Sequence, residues 1–223
     1  MPQTVRPTSV KASAFISYSR KNKTFVQWLH AELTDQGRDI WCDWEDIPGG
    51  TDWWKEIQIG INQSDNFIFV ISPQSCTSAV CLRELNHAIA QHKRIVPIVH
   101  HIAESIPPEL SRLNWVIFDS FSEGLEILTS ALDFDLEDTR QHTCLLTLVH
   151  NWEENAKDSS YLLRGKQLVK AENWLEKTTD TPPFPTQSQR EFILQSQKLR
   201  AAIILVRLSL IGVLLIGLAV RQC

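Results

Sequence analysis

From residue 13 onward, short apolar runs alternate with stretches whose apolar residues recur every three or four positions. Ser13 to Tyr18 (SAFISY) reads as a buried strand closed by a polar break. Lys23 to Gln36 places Phe25, Trp28, Leu29 and Leu33 on one helical face, and Gly37 is positioned to end that helix. Arg38 to Trp44 predicts a second strand, Ile47-Pro-Gly-Gly a loop, and Thr51 to Gln63 a helix built on Trp54, Ile57 and Ile61. Asn66 to Ser72 (NFIFVIS) is apolar nearly throughout, as a parallel strand covered on both faces should be. Ser78 to Gln91 reads as a helix with Ser78 as N-cap and Leu82, Leu85 and Ile89 inward. Arg94 to His100 is a fourth strand, in which Pro97 implies an edge or an irregular backbone. Trp115 to Phe118 is a short fifth strand, and Glu123 to Leu132 a helix.

Strands separated by helices form β-α-β units and hence a parallel sheet. Five strands by residue 118 predict an α/β, flavodoxin-like domain, a five-stranded parallel sheet flanked by helices, over residues 11–132. Residues 1–10 form a polar N-terminal tail. In sheets of this kind ligands sit beyond the carboxyl ends of the strands, so the loops after each strand are where function is to be sought.

The alternation stops near Asp133. Residues 133–177 read as a helical extension, with helices over Thr143–Glu154 and Tyr161–Lys177. Residues 178–200 hold a proline-rich linker (TTDTPPFPT) and a helix that leads into a hydrophobic tail. Ala201 to Val220 (AAIILVRLSLIGVLLIGLAV) contains one charge, Arg207. Twenty helical residues suffice to span a bilayer core, so 201–220 is a candidate C-terminal transmembrane helix. Lys198 and Arg200 would keep its preceding side cytosolic, which predicts a cytoplasmic domain anchored to a membrane by a single pass. An apolar helix packed on a partner is the competing reading.

Composition narrows the function. The chain has 223 residues, 43% hydrophobic and 22% charged, which excludes wholesale disorder. Its net charge of −4 argues against a nucleic-acid partner. The mean hydropathy of −0.15 conceals the tail. The five cysteines form no C-x-x-C pair, and no Cys/His cluster has metal-ligand spacing, so no metal is expected. The N-terminus lacks the apolar run of a signal peptide, so reduced thiols are the default. Cys76 and Cys81 are read as small apolar residues, and His92, His100 and His101 as loop histidines.

Two common uses of such a sheet fail on their chemistry. The loop after the first strand, Ser19-Arg20-Lys21-Asn22, has none of the glycines of a dinucleotide-binding turn. The third strand ends Val70-Ile71-Ser72, without the aspartate of a phosphoacceptor domain.

The segments FISYSRKN, WCDWEDIPGGTDWW, NFIFVISPQSCTSAVCLREL and KRIVPIV, in this order, resemble the boxes of a Toll/interleukin receptor (TIR) domain, in particular its bacterial, NAD+-cleaving branch. The stretch LLRGKQLVKAENWL followed by PPFPTQ also resembles a segment found after bacterial TIR domains; no chemistry attaches to it. The resemblance implies one of two roles. The first is an NAD+ hydrolase that releases nicotinamide and ADP-ribose or a cyclic product, is active on self-assembly with other TIR domains, and serves bacterial signalling or antiphage defence. NAD+ would be its substrate, with no cofactor. The second is a non-catalytic scaffold that binds other TIR domains through the Asp46 to Trp53 loop.

For the enzyme, the resemblance places the catalytic carboxylate in Cys81-Leu82-Arg83-Glu84, at Glu84. A solvated helix charge facing Arg83 or Lys93 is the plain alternative. It assigns substrate contacts to Tyr18, Arg20 and Trp53; a surface arginine at 20, and a tryptophan at 53 that staples the following helix to the sheet, are the plain alternatives. Two positions depart from the pattern: Val80 stands where many members carry tryptophan, and Ser19 where many carry a second arginine. One carboxylate suits the chemistry. Ordinary glycosidases need a second to protonate an alkoxide leaving group. The pyridinium of NAD+ leaves as neutral nicotinamide, so only the oxocarbenium-like charge left on the ribose needs stabilising.

Overall fold

The computed structural model describes residues 13–42, 52–178 and 181–221, and from residue 210 the backbone alone. The described chain divides into two compact units, residues 1–146 and 147–223.

The first unit holds β1 (Ala14–Ser17), α1 (Lys23–Asp35), β2 (Ile40–Trp41), α2 (Trp53–Gln63), β3 (Asn66–Ile71), α3 (Ala79–Ala90), β4 (Arg94–Val99), α4 (Pro108–Ser111), β5 (Val116–Ile117) and α5 (Phe121–Asp133). The start of α6 (Leu136–Glu154) completes it. All strand pairs are parallel, in the order β2-β1-β3-β4-β5. The expected five-stranded parallel sheet is therefore present.

Alternation along the strands divides the core into two layers. Ala14 and Ile16 of β1 and Ile68 and Val70 of β3 pack with Val26, Leu29 and Leu33 of α1 and Leu128 and Leu132 of α5. Phe15 of β1 and Phe67, Phe69 and Ile71 of β3 pack with Ile57 and Ile61 of α2 and Cys81, Leu85 and Ala88 of α3. All six residues of β3 are buried, which accounts for its unbroken apolar run.

Several boundaries differ from the sequence expectation for physical reasons. Asp52 starts α2 by accepting hydrogen bonds from the Trp54 and Lys55 backbone amides, so the helix begins two residues later than expected. β2 is a two-residue strand; Asp43 and Trp44 of the longer expected strand lie outside the described residues, as does the loop from 45 to 51. Pro97 is not on an edge strand: β4 lies between β3 and β5. Yet β5 pairs only with Ile98 and Val99, so at the level of Pro97 the sole pairing is to Phe69 of β3. The helix expected from Thr143 begins at Leu136. Its first turns bury Thr139, Gln141, His142 and Thr143, polar residues that break the apolar stripe. Gly37 ends α1 as expected, with φ of +79°.

The second unit contains the end of α6, α7 (Gly165–Lys177) and α8 (Gln187–Arg221). Leu168, Ala171 and Trp174 of α7 and Phe192 and Ile193 of α8 are buried. Ser196 accepts from the Leu163 amide at 3.0 Å. Among the described residues no helix is long and apolar enough to cross a membrane. The side chains of 210–220, most of the expected transmembrane run, lie outside the described residues.

Candidate active site

In this strand order, the connection from β1 runs outward to β2 and the connection from β3 runs the opposite way to β4, and a crevice opens at the switch point between β1 and β3. A cavity of about 600 Å³ occupies this region, lined by side chains that follow β1 and by the starts of α2 and α3. Glu84, Tyr18, Arg20 and Trp53 all line it, together with Ile16, Ser19, Ile57, Ser78, Val80 and Cys81. The two positions that depart from the family pattern, Ser19 and Val80, thus face the same space.

Local folding explains the convergence. Ser72 directly follows β3, and a turn over Pro73 to Thr77 leads to Ser78, whose side chain caps α3 by accepting from the Cys81 amide at 3.4 Å. Val80, Cys81 and Glu84 then share one helical face. Tyr18 follows β1 directly and is buried at 7% exposure. Arg20 opens a short 3-10 turn, Arg20–Asn22, with its side chain exposed at the cavity mouth. Asn22 anchors that turn: its Oδ1 accepts from Ser72 Oγ at 2.8 Å, and its Nδ2 lies 3.2 Å from His100 Nδ1. Trp53 is the first residue of α2 and half exposed.

Glu84 is not the solvated charge of the plain reading. It is 4% exposed, and its Oε2 accepts a 2.6 Å hydrogen bond from Ser17 Oγ. Ser17, itself 1% exposed, lies at the end of β1. A buried carboxylate is costly unless hydrogen-bonded, and a hydroxyl at this distance is a strong charge-assisted donor. The two neighbours proposed to face Glu84 point elsewhere. Arg83 stacks its guanidinium 3.7 Å from the Trp54 ring centroid. Lys93 donates to Thr143 Oγ1 at 3.0 Å and to the Asn62 carbonyl at 3.4 Å.

Ser17 escaped sequence reasoning. Its signal was the one hydroxyl ending the apolar run AFIS, placed two residues after Phe15 and so on the layer that α3 covers.

The remaining titratable groups near the site have structural roles. Cys76 and Cys81 are buried, and burial pushes the Cys76 thiol up, away from thiolate chemistry. His87 Nε2 lies 3.0 Å from Asn62 Oδ1, and burial, with the charge of Lys93, lowers its pKa and favours neutral imidazole. His100 stacks on Phe25 at 4.2 Å and is likewise pushed down by burial and by His101. Among the described residues no group of three or more His, Cys, Asp or Glu side chains is placed to hold a metal ion.

A parallel five-stranded sheet with a cavity at its switch point, lined largely by apolar and aromatic side chains around one buried carboxylate, defines a flavodoxin-like α/β domain with a ligand-sized site. A family model described as the TIR domain matches residues 14–129, more than half of the chain, and the chain belongs to that family. None of the curated proteins compared with the chain matches it. Among solved structures, the TIR domain of the Toll-related receptor TRR-2 from Hydra magnipapillata is similar. The identity is 18% and the TM-score 0.48, over 56% of this chain and 97% of that one. A prokaryotic SEFIR domain matches at 17% identity and TM-score 0.43, over 54% of this chain and 98% of that one. A CMP N-glycosidase of Clostridium botulinum matches at 19% identity and TM-score 0.40, over 52% and 97% of the two chains.

Proposed function

We propose that the first unit is an NAD+ hydrolase that cleaves the bond between nicotinamide and ribose. The observation that carries this reading is Glu84: a buried carboxylate, held by Ser17, in a cavity of about 600 Å³ that it shares with Tyr18, Arg20 and Trp53.

The chemistry follows from that arrangement. The nicotinamide ribose seats against Glu84, and Tyr18 and Trp53 offer aromatic surface to the rings of the substrate. Arg20, at the mouth, meets the pyrophosphate with a bidentate-capable guanidinium. The C1′–N bond breaks with its electron pair leaving on the nicotinamide nitrogen, which becomes neutral without protonation. Positive charge passes to C1′ and the ring oxygen, and the Glu84 carboxylate stabilises it. Water then adds at C1′ and gives up one proton, to the carboxylate or to solvent, which yields ADP-ribose. Addition of a nitrogen of the same ADP-ribose in place of water gives a cyclic product.

Assembly with other copies belongs to the same proposal, as does attachment through residues 201–220, which would raise the effective concentration of protomers. The reading is tested by incubating purified, clustered protein with NAD+ and identifying the products. Nicotinamide together with ADP-ribose or its cyclic form supports it. Absence of turnover in every assembled state overturns it and leaves a scaffold that binds other TIR domains.

A further inference from the structure

Helices α7 and α8 of the second unit carry a surface that the chemistry above leaves unused, and it includes the LLRGKQLVKAENWL stretch. A groove of about 560 Å³ is lined by Gly165, Lys166, Val169, Lys170 and Asn173 of α7 and by Arg200 of α8. The four α7 residues from Lys166 onward fall three and four apart, so they form one helix face. Among the described residues lining the groove there is no carboxylate. Glu172 grips Arg200 from outside the lining through both guanidinium nitrogens, at 2.6 and 2.9 Å, and so fixes its orientation. The first turn of α7 has no acidic residue, and its N-cap, Arg164, makes no side-chain capping bond. The positive end of the helix and the two lysines are of one sign, while Arg200 is paired with Glu172.

A second observation lies directly beyond Arg200 on the same helix. Phe192, Ile193 and Ser196 of α8 are buried, but past Arg200 the helix leaves its packing. Ile203, Ile204, Leu205, Val206 and Leu208 are all exposed, from 36% to 67%. Successive helical residues are rotated by about 100°, so four apolar side chains in a row cover every side of the helix. A docked protein, including a second copy of this chain, covers one stripe of a helix. Apolar surface on all sides calls for an apolar medium.

We propose that this end of the second unit seats on an anionic lipid surface. The groove takes the phosphate of a lipid headgroup, and the α8 turns from Ile203 to Leu208 enter the acyl region. The order along the chain fits: the cations lie at headgroup depth and the apolar turns begin three residues later. Arg207 extends its guanidinium back toward the phosphates. Seating of this kind needs no helix that crosses the bilayer.

The test uses the full chain, diluted from detergent onto preformed vesicles and floated on a density gradient. One set of vesicles is phosphatidylcholine alone, the other phosphatidylcholine mixed with phosphatidylglycerol. The chain is expected to bind the anionic vesicles more tightly, with an advantage that shrinks as salt is raised. Lys166→Ala/Lys170→Ala should weaken anionic binding about twenty-fivefold, at roughly fivefold per surface lysine, and leave neutral binding unchanged. Both lysines are exposed, so circular dichroism should show the variant folded. Equal binding to both vesicle types, or a double variant that binds as the parent does, overturns the proposal. A rise in melting temperature with inorganic phosphate alone that equals the rise with anionic vesicles assigns the groove to a soluble phosphate and also overturns it. A stable dimer that resists detergent and ignores lipid overturns it in favour of a second copy.

Discussion

Ser17 Oγ donates a 2.6 Å hydrogen bond to Glu84 Oε2, and this bond ties the end of β1 to the second turn of α3. Both partners are almost wholly buried, so the carboxylate reaches the cavity with its orientation set by β1. In the proposed reaction Ser17 is a positioning residue. Ser17→Ala is expected to lower kcat about ten- to a hundredfold, the worth of a hydrogen bond to a charged group, with KM for NAD+ nearly unchanged. Steady-state kinetics separates the two parameters. A fall in activity matched by a fall in the folded fraction, with a lowered melting temperature, would reduce Ser17 to a packing role.

Val80 bears on substrate affinity. It lines the cavity where the family resemblance places tryptophan, and it is 42% exposed. Stacking of an aromatic side chain on a base contributes ~1–3 kcal/mol. Val80→Trp should therefore lower KM for NAD+ roughly tenfold, with little change in kcat. An unchanged or higher KM would argue that the rings of NAD+ do not lie on this wall.

Lys93 makes stability depend on pH. Its ammonium is buried, and burial outweighs the nearby Asp65 charge, which lowers its pKa from 10.5 to about 7. The unfolded chain holds this proton up to its ordinary value, whereas the folded chain releases it near neutrality. Between the two values the unfolded state binds more protons, so this group makes stability rise with pH. Asp65 and His87 interact with it electrostatically, and Arg140 lies 3.6 Å from the Asp65 carboxylate. Lys93→Met should exceed the parent in stability at neutral pH, with the gap closing toward about pH 10. Urea midpoints measured over that range decide the matter, and a gap independent of pH would contradict it.

Gly60 reverses a general rule. Glycine inside a helix is ordinarily improved by alanine, by about 1 kcal/mol. Here a Cβ on α2 would lie 2.7 Å from Cε2 of Trp41. Trp41 is stacked on Phe15 at 4.8 Å in the buried layer and has little room to give way. Gly60→Ala is expected to destabilise by ~1–3 kcal/mol, the usual cost of overpacking a core. Thermal unfolding of the variant checks the sign.

Much of this could be read from the sequence because it rests on apolar periodicity. β3 announced itself by its nearly unbroken apolar run, and α2 and α3 by their stripes; on α1 Leu29 and Leu33 are buried as expected, but Trp28 is 63% exposed and Val26 takes the inward place. The parallel sheet followed from their alternation. The positions of Tyr18, Arg20, Trp53 and Glu84 in one cavity were legible through the family motif rather than through hydropathy. What stayed hidden was polar burial. The first turns of α6 bury Thr139, His142 and Thr143, which no hydrophobic pattern marks. Ser17 and Glu84 are 67 residues apart, and nothing in the chain links them until β1 and α3 pack together. The same holds for Asn22, which reaches Ser72 and His100 to fix the turn that carries Arg20.

The central claim is that Glu84 does chemistry rather than holding the fold. Release of nicotinamide from NAD+ by clustered parent protein and by clustered Glu84→Gln is the most direct measurement. Glutamine keeps the size and hydrogen-bonding reach of the side chain but removes its charge. The account predicts measurable turnover by the parent and a loss on the order of a thousandfold in the variant, with melting temperature preserved. A folded variant that releases nicotinamide as fast as the parent would contradict it.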